Sequence, residues 1–178
     1  YTERFGIEGA YITKATAQLM RDLGTTPAPM SAYLLNLGLE SLHVRMDRHC
    51  ENALTIGKYL EKNDKISWVF YPNLESCPDY PLAQKYLPDG SCGVISFGVK
   101  GGREAAKKFM ENLKIIAIET HVADARSCCL HPATATHRQL TDDELVACGI
   151  SPDLVRLSVG IENVKDLIDD IEQALNAI

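Results

Sequence analysis

From Asp153 to Glu162 the chain reads Asp-Leu-Val-Arg-Leu-Ser-Val-Gly-Ile-Glu. This alternation limits the possible folds more than any other stretch. Val155, Leu157 and Val159 fall on one face of a strand, and Leu154, Arg156 and Ser158 on the other. Gly160 ends the run, and a helical pattern starts at Asn163. The chain must therefore build a sheet with a buried face, and it presents a single arginine from a mostly apolar strand. A guanidinium is always charged and forms a planar fork that matches a carboxylate or a phosphate. An arginine so placed pairs either with a protein carboxylate or with an anionic ligand. The strand alone leaves both readings open.

Other periodicities fill in the frame. Residues 1–9 read as a loop, and Tyr11 to Leu23 as a helix stopped by Gly24. Pro27 and Pro29 then break the chain. From Ser31 to Glu61, the residues Leu35, Leu39, Leu42, Met46, Cys50, Ala53, Gly57 and Leu60 recur at three- and four-residue steps. That spacing predicts one long amphipathic helix capped by Ser31. A helix of about 30 residues spans about 45 Å. It is expected to bridge this domain to something else.

Strands are expected over 66–71, 92–99, 115–118 and 126–130, and further helices over 103–113 and 163–177. Residues 73–90, with Pro78, Pro81 and Pro88, read as loop-rich with one helical turn near Leu82–Tyr86. Thr141-Asp-Asp-Glu144 is a capping box, so its acidic run is helix-start chemistry rather than a metal site. The sum is an α/β (α+β) two-layer sandwich. A small, largely antiparallel sheet is covered by helices on one face, with a long N-terminal connecting helix.

Charge and length narrow the function classes. The 178 residues suffice for one domain with a real core. A net charge of −6 supplies no basic excess to neutralise phosphates, which argues against nucleic acid or an anionic membrane as partner. No apolar run approaches the roughly 18 residues of a membrane span. Tyr1-Thr-Glu-Arg-Phe-Gly has neither a starting methionine nor a signal-peptide pattern, and reads as the middle of a longer chain. The six cysteines form no C-x-x-C, and adjacent Cys128 and Cys129 must point to opposite faces of a strand. Several are expected as buried free thiols in a reducing, cytoplasmic setting.

Little else suggests chemistry. His43 and His49 are six residues apart, not the i, i+4 spacing of helical metal ligands, and read as surface or packing residues. His121, His131 and His137 lie around one strand and its exit loop without a further ligand at metal-site spacing. No metal is expected. Ser127 and Ser158 read as strand residues with no nucleophile–base arrangement, and Lys14 as a solvated charge on a helix. Gly98-x-x-Gly101-Gly102 is a turn, since it lacks phosphate-loop spacing.

Seven motifs stand in order along the chain: Tyr1-Thr-Glu-Arg-Phe-Gly, Tyr11-Ile-Thr-Lys-Ala, Gln18-Leu-Met-Arg-Asp-Leu-Gly24, Gly38-Leu-Glu-Ser-Leu42, Arg45-Met-Asp-Arg-His49, His131-Pro-Ala-Thr-Ala-Thr-His137 and the Asp153–Glu162 strand. Together they resemble the C-terminal part of the O-acetylhomoserine sulfhydrylases, in the Cys/Met-metabolism group of pyridoxal-phosphate enzymes. The resemblance implies the C-terminal domain of a fold-type I enzyme. Residues 1–30 would be a linker and helix from the preceding large domain, and residues 31–178 the C-terminal substrate-binding domain.

The implied reaction of the whole protein is O-acetyl-L-homoserine plus sulfide to homocysteine and acetate. The cofactor would be pyridoxal phosphate, and the enzyme a cytoplasmic homodimer or homotetramer. The resemblance makes Arg156 the group that binds the amino-acid substrate's α-carboxylate. His121 and Val122 would contact the same substrate, and Thr136 would lie near it. His121 departs from the serine or asparagine often found at that position. The family's cofactor lysine, phosphate cradle and ring-stacking aromatic belong to the large domain, and none of those motifs occurs here. Lys14 matches a different position. This chain would thus hold one wall of the active site, contribute no catalytic, cofactor-binding or metal residue, and be inactive alone. Cystathionine γ-synthase and methionine γ-lyase share nearly all these motifs and remain alternatives. A non-catalytic, free-standing docking domain is the alternative of another class.

Overall fold

The computed structural model describes residues 1–178, which divide into two compact units, Tyr1–Leu42 and His43–Ile178.

The first unit is helical. Helix α1 (Thr2–Lys14) contains a non-helical Gly6 with φ 70° and continues through a π-helical segment, Ala15–Met20, into the short α2 (Arg21–Leu23). The loop expected over residues 1–9 is thus helix kinked at Gly6, the one position where a missing Cβ permits the positive φ. Gly24 ends the run in the left-handed conformation, as its type suggests. Helix α3 (Pro29–Glu40) starts with proline in its first turn, where no N–H is needed. No residue of these helices is buried within the unit, and Ile7, Tyr11, Leu23, Leu35 and Leu39 are exposed.

The segment expected as one helix from Ser31 to Glu61 is two. Helix α3 stops at Glu40, Ser41 has φ −103° and ψ 3°, and α4 runs from Leu42 to Glu61. The stripe also sits differently on α4. Its buried residues are His49, Asn52, Ala53, Ile56, Gly57 and Leu60, while Met46 and Cys50 lie at the rim.

The second unit carries the sheet. Its strands are β1 (Ile66–Phe70), β2 (Val94–Val99), β3 (Ala117–Ile118), β4 (Cys128–Leu130) and β5 (Leu154–Ser158), in the order β1-β2-β5-β4-β3. All neighbours are antiparallel except β3 and β4. The arginine strand, β5, is therefore central. Helix α5 (Tyr80–Tyr86) occupies the proline-rich connection, α6 (Gly102–Glu111) follows β2, α7 (Asp142–Ala147) precedes β5, and α8 (Val164–Asn176) closes the chain. Thr141 and Glu144 form the expected capping box, and Asn163 caps α8.

One continuous core joins α4, α6 and α8 to one face of the sheet. Ile95, Phe97, Val99, Val155, Leu157 and Val159 meet Ile56, Leu60, Phe109, Leu167 and Ile171 there. Phe97 and Phe109 pack edge-to-face with centroids 5.9 Å apart. Each such buried side chain contributes about 1.5–3 kcal/mol relative to exposure. Asp170 of α8 is buried and accepts hydrogen bonds from the N–H groups of Lys114, Ile115 and Ile116 at 2.9–3.0 Å, which fixes the approach to β3. Cys129 joins the core, whereas Cys128, on the opposite strand face, donates to the His121 carbonyl at 3.1 Å. All six cysteines are free. No helix is long and apolar enough to cross a membrane.

Candidate functional site

The period-2 pattern of β5 sends Val155 and Leu157 into the core and leaves Leu154, Arg156 and Ser158 on the opposite face. Arg156 pairs with Ser96 on one side and Leu130 on the other, so two flanking strands fix its backbone. Its Nη2 donates to the Thr120 carbonyl at 2.8 Å. Its Nε is buried and has no hydrogen-bond partner. None of the seven ion pairs involves Arg156. The protein carboxylate that one reading of the strand required is therefore not there.

Thr120 opens a loop that folds over the end of β5. Ser158 Oγ accepts from the Ala123 N–H at 3.1 Å. Ala123 has φ 62°, uncommon for a residue with a Cβ. Asp124 accepts from the Arg126 N–H at 3.0 Å, which, with the Arg126 guanidinium, holds its carboxyl below the usual range. His121 and Val122 are exposed, and the N–H groups of both lack an acceptor within the protein. His121 Nε2 lies 3.8 Å from a Glu119 carboxylate oxygen. Arg156, Thr120, His121 and Val122 thus come together, linked by β5 and this loop.

Thr136 does not join these hydrogen bonds. Its hydroxyl pairs with His137 Nδ1 at 2.9 Å on the turn-rich segment after β4. His131, at the start of that segment, is buried, with Nε2 2.9 Å from the Pro152 carbonyl and Nδ1 2.9 Å from Thr134 Oγ1. Burial pushes its pKa below the ordinary value. The three histidines around this strand are not gathered, and no group of three His, Cys, Asp or Glu is placed to hold a metal. A groove elsewhere, between α4 and α5, is lined by Lys58, Asn73, Tyr80 and Gln84 among others and contains none of the expected site residues.

Sequence reading missed five contributing residues. The Thr120 carbonyl is a backbone group that any residue could supply. Ser127 and Ser158 are buried and hydrogen-bonded rather than simple strand residues. His49 and Asn52 are buried on the core side of α4, and the signal that could have found them is two polar residues three apart within an apolar stripe.

A guanidinium without a protein carboxylate partner can donate to hydrogen-bond acceptors that carry negative charge. Lys14 lies exposed on α1, and Lys65 Nζ donates to the carbonyls of Leu175 and Ile178.

Residues 7–176 match the family model for Cys/Met metabolism PLP-dependent enzymes. An O-acetyl-L-homoserine sulfhydrylase of Leptospira meyeri is 43% identical over 174 residues, covering 97% of this chain and 39% of that protein. A homocysteine synthase of Schizosaccharomyces pombe is 45% identical over 175 residues, covering 98% and 41%. The crystal structure of a putative O-acetylhomoserine (thiol)-lyase from Campylobacter jejuni, solved with N'-pyridoxyl-lysine-5'-monophosphate, superposes with a TM-score of 0.85 at 35% identity, covering 94% of this chain and 40% of that one. The chain thus spans about two fifths of the length of the relatives it matches.

Proposed function

The chain belongs to the Cys/Met metabolism family of PLP-dependent enzymes, and from that premise we propose that it is the C-terminal, substrate-binding domain of an O-acetylhomoserine sulfhydrylase. In this reading residues 31–178 bind substrate, and residues 1–30 continue from the larger part of the protein. The whole enzyme is a transferase that replaces the acetoxy group of O-acetyl-L-homoserine by sulfide, releasing homocysteine and acetate.

The observation that carries the proposal is the Arg156 guanidinium. Its Nε is buried without a partner, it forms no ion pair with a carboxylate, and its Nη2 is held by the Thr120 carbonyl. A buried donor left unpaired costs about 1–3 kcal/mol. An arriving α-carboxylate offsets that cost with charge-assisted bonds in the geometry a guanidinium fork presents. The free N–H groups of His121 and Val122 follow directly after Thr120 in the same loop. Thr136 borders the substrate on the other side in this reading.

Pyridoxal phosphate, when bound, supplies the electron sink for the carbon chemistry. None of this chain's residues is assigned to hold it. Arg156 instead fixes one end of the substrate, so that its reacting carbons keep one orientation while protons are moved by groups of the larger part. This chain alone is accordingly inactive. The exposed apolar side chains of the first unit are covered by that larger part, and the enzyme assembles as a homodimer or homotetramer. Six unpaired cysteines support a reducing, cytoplasmic location.

The test is a substrate comparison on the full-length protein. Sulfide-dependent release of acetate from O-acetylhomoserine, exceeding turnover with cysteine as donor or with methionine as substrate, is the expected result. Preferential release of methanethiol from methionine would reassign it to the γ-lyases. Preferential use of cysteine would reassign it to the cystathionine γ-synthases.

A further inference from the structure

Two of the most buried polar side chains in the molecule point at the same piece of backbone. His49 and Asn52 of α4 are 2% and 1% exposed. The ring of His49 donates through Nδ1 to the Val159 carbonyl at 2.6 Å. Asn52 Nδ2 donates to two carbonyls, Gly160 at 3.0 Å and Glu162 at 2.9 Å. These carbonyls belong to the irregular stretch that leaves β5 directly after Ser158.

From its other side the same stretch grips the loop over Arg156. Ser127 Oγ accepts from the Gly160 N–H at 2.8 Å and donates to the Glu162 carboxylate at 3.0 Å, and the Ser127 N–H donates to that carboxylate at 2.6 Å. Ile161 N–H donates to the Ala125 carbonyl at 2.9 Å. A Cβ on Gly160 would collide with the Ala125 carbonyl and the Arg126 backbone, so the two backbones are in direct contact. Below, the Val159 N–H donates to the Gly93 carbonyl at 2.7 Å. Residues 159–162 are thus a plate, with α4 behind it and the 120–127 loop in front.

We propose that His49 and Asn52 are positioning residues for the carboxylate site. They touch neither substrate nor cofactor. They set the plate, and the plate sets the loop that presents the Thr120 carbonyl and the N–H groups of His121 and Val122 beside Arg156. One amide bridging two carbonyls fixes their separation, which an apolar side chain in the same space could not do. A binding group displaced by about 1 Å loses most of its effect, so the site depends on a helix that does not line it. The functional half of this proposal rests on Arg156 being the carboxylate group.

The test separates the two halves. In the full-length enzyme, Asn52→Leu and His49→Leu are compared with Asn52→Asp, which keeps the shape without the amide donors, and with His49→Asn, which keeps a donor near the Nδ1 position. Hydrogen exchange without substrate reads the clamp. The amides of Ala123, Ser127 and Ile161 are expected to exchange about tenfold faster or more in the first three variants, with Phe97 and Val155 at the centre of the sheet unchanged. Kinetics read the function. KM for the amino acid is expected to rise about tenfold in those three, with kcat and KM for sulfide held, and His49→Asn to restore both readouts. Unchanged exchange in the loop, or acceleration spread evenly over the sheet, would overturn the clamp. With a loosened loop, an unchanged amino-acid KM would overturn the positioning role. If Arg156→Leu in the same assay leaves that KM untouched, the carboxylate reading falls, and the exchange data still decide whether His49 and Asn52 hold the loop.

Discussion

Arg156 and Thr120 are joined by a hydrogen bond of 2.8 Å, from the guanidinium Nη2 to a main-chain carbonyl. This bond orients the guanidinium without neutralising it. An acidic partner would have consumed the charge, whereas a carbonyl aims it and leaves Nε without a partner. The central position of β5 does the rest, since strands on both sides resist any shift of the arginine. This is the form expected of the proposed carboxylate site, in which Arg156 binds an anion rather than pairing internally.

The approach to β3 hangs on Asp170. Three backbone N–H groups, those of Lys114, Ile115 and Ile116, point at its two carboxylate oxygens. Asp170→Ala leaves all three buried or half-buried donors without an acceptor and is expected to cost about 3 kcal/mol or more. Asp170→Asn keeps one acceptor oxygen and is expected to cost about half as much. Urea midpoints at fixed pH measure both.

His131 makes the fold sensitive to mild acid. Burial, the first cause, lowers its folded pKa below the 6.5 of a free histidine, and the Pro152 carbonyl only partly opposes this. The folded state therefore prefers the neutral ring. Its contribution is fully present above pH 6.5 and is lost as the pH falls through the lowered folded value. His131→Gln keeps a donor toward Pro152 and cannot titrate. Between about pH 7.5 and about pH 5, the urea midpoint of the natural protein is expected to fall further than that of the variant. Parallel curves would show that His131 is not the group responsible.

The thiols should separate by reactivity. Cys148 is exposed, while burial pushes the Cys129 thiol up to about 12, in the core beside Met110. A thiol reagent at neutral pH is expected to label Cys148 first and Cys129 only on unfolding, because the thiolate is the reactive form. Peptide mapping of a timed labelling reaction reads the order.

Where side-chain pattern determines structure, the sequence was readable. The two faces of β5, the capping box at Thr141–Glu144, the Gly24 stop and the largely antiparallel sheet all follow from local rules of period, capping or turn. The break at Ser41 was not legible, because the apolar spacing runs on through it and only the backbone records the end of α3. The first turns of α1, over residues 2–9, were hidden by Gly6 and Gly9, which lower helix propensity without abolishing it. At the site, Arg156 stood out as a charge in an apolar strand. Thr120 could not stand out, since it acts through its carbonyl. His49 and Asn52 were masked because polarity normally marks the solvent face of a helix, whereas here tertiary carbonyls draw both inward.

The most direct measurement compares, in the full-length enzyme and its Arg156→Leu variant, the binding of an amino-acid inhibitor with that of the amine lacking only its carboxylate. The natural enzyme is expected to prefer the amino acid by about 100-fold, as two charge-assisted hydrogen bonds would give. The variant is expected to lose that preference while binding the amine as before. A variant that still prefers the amino acid by the full margin would contradict the role assigned to Arg156.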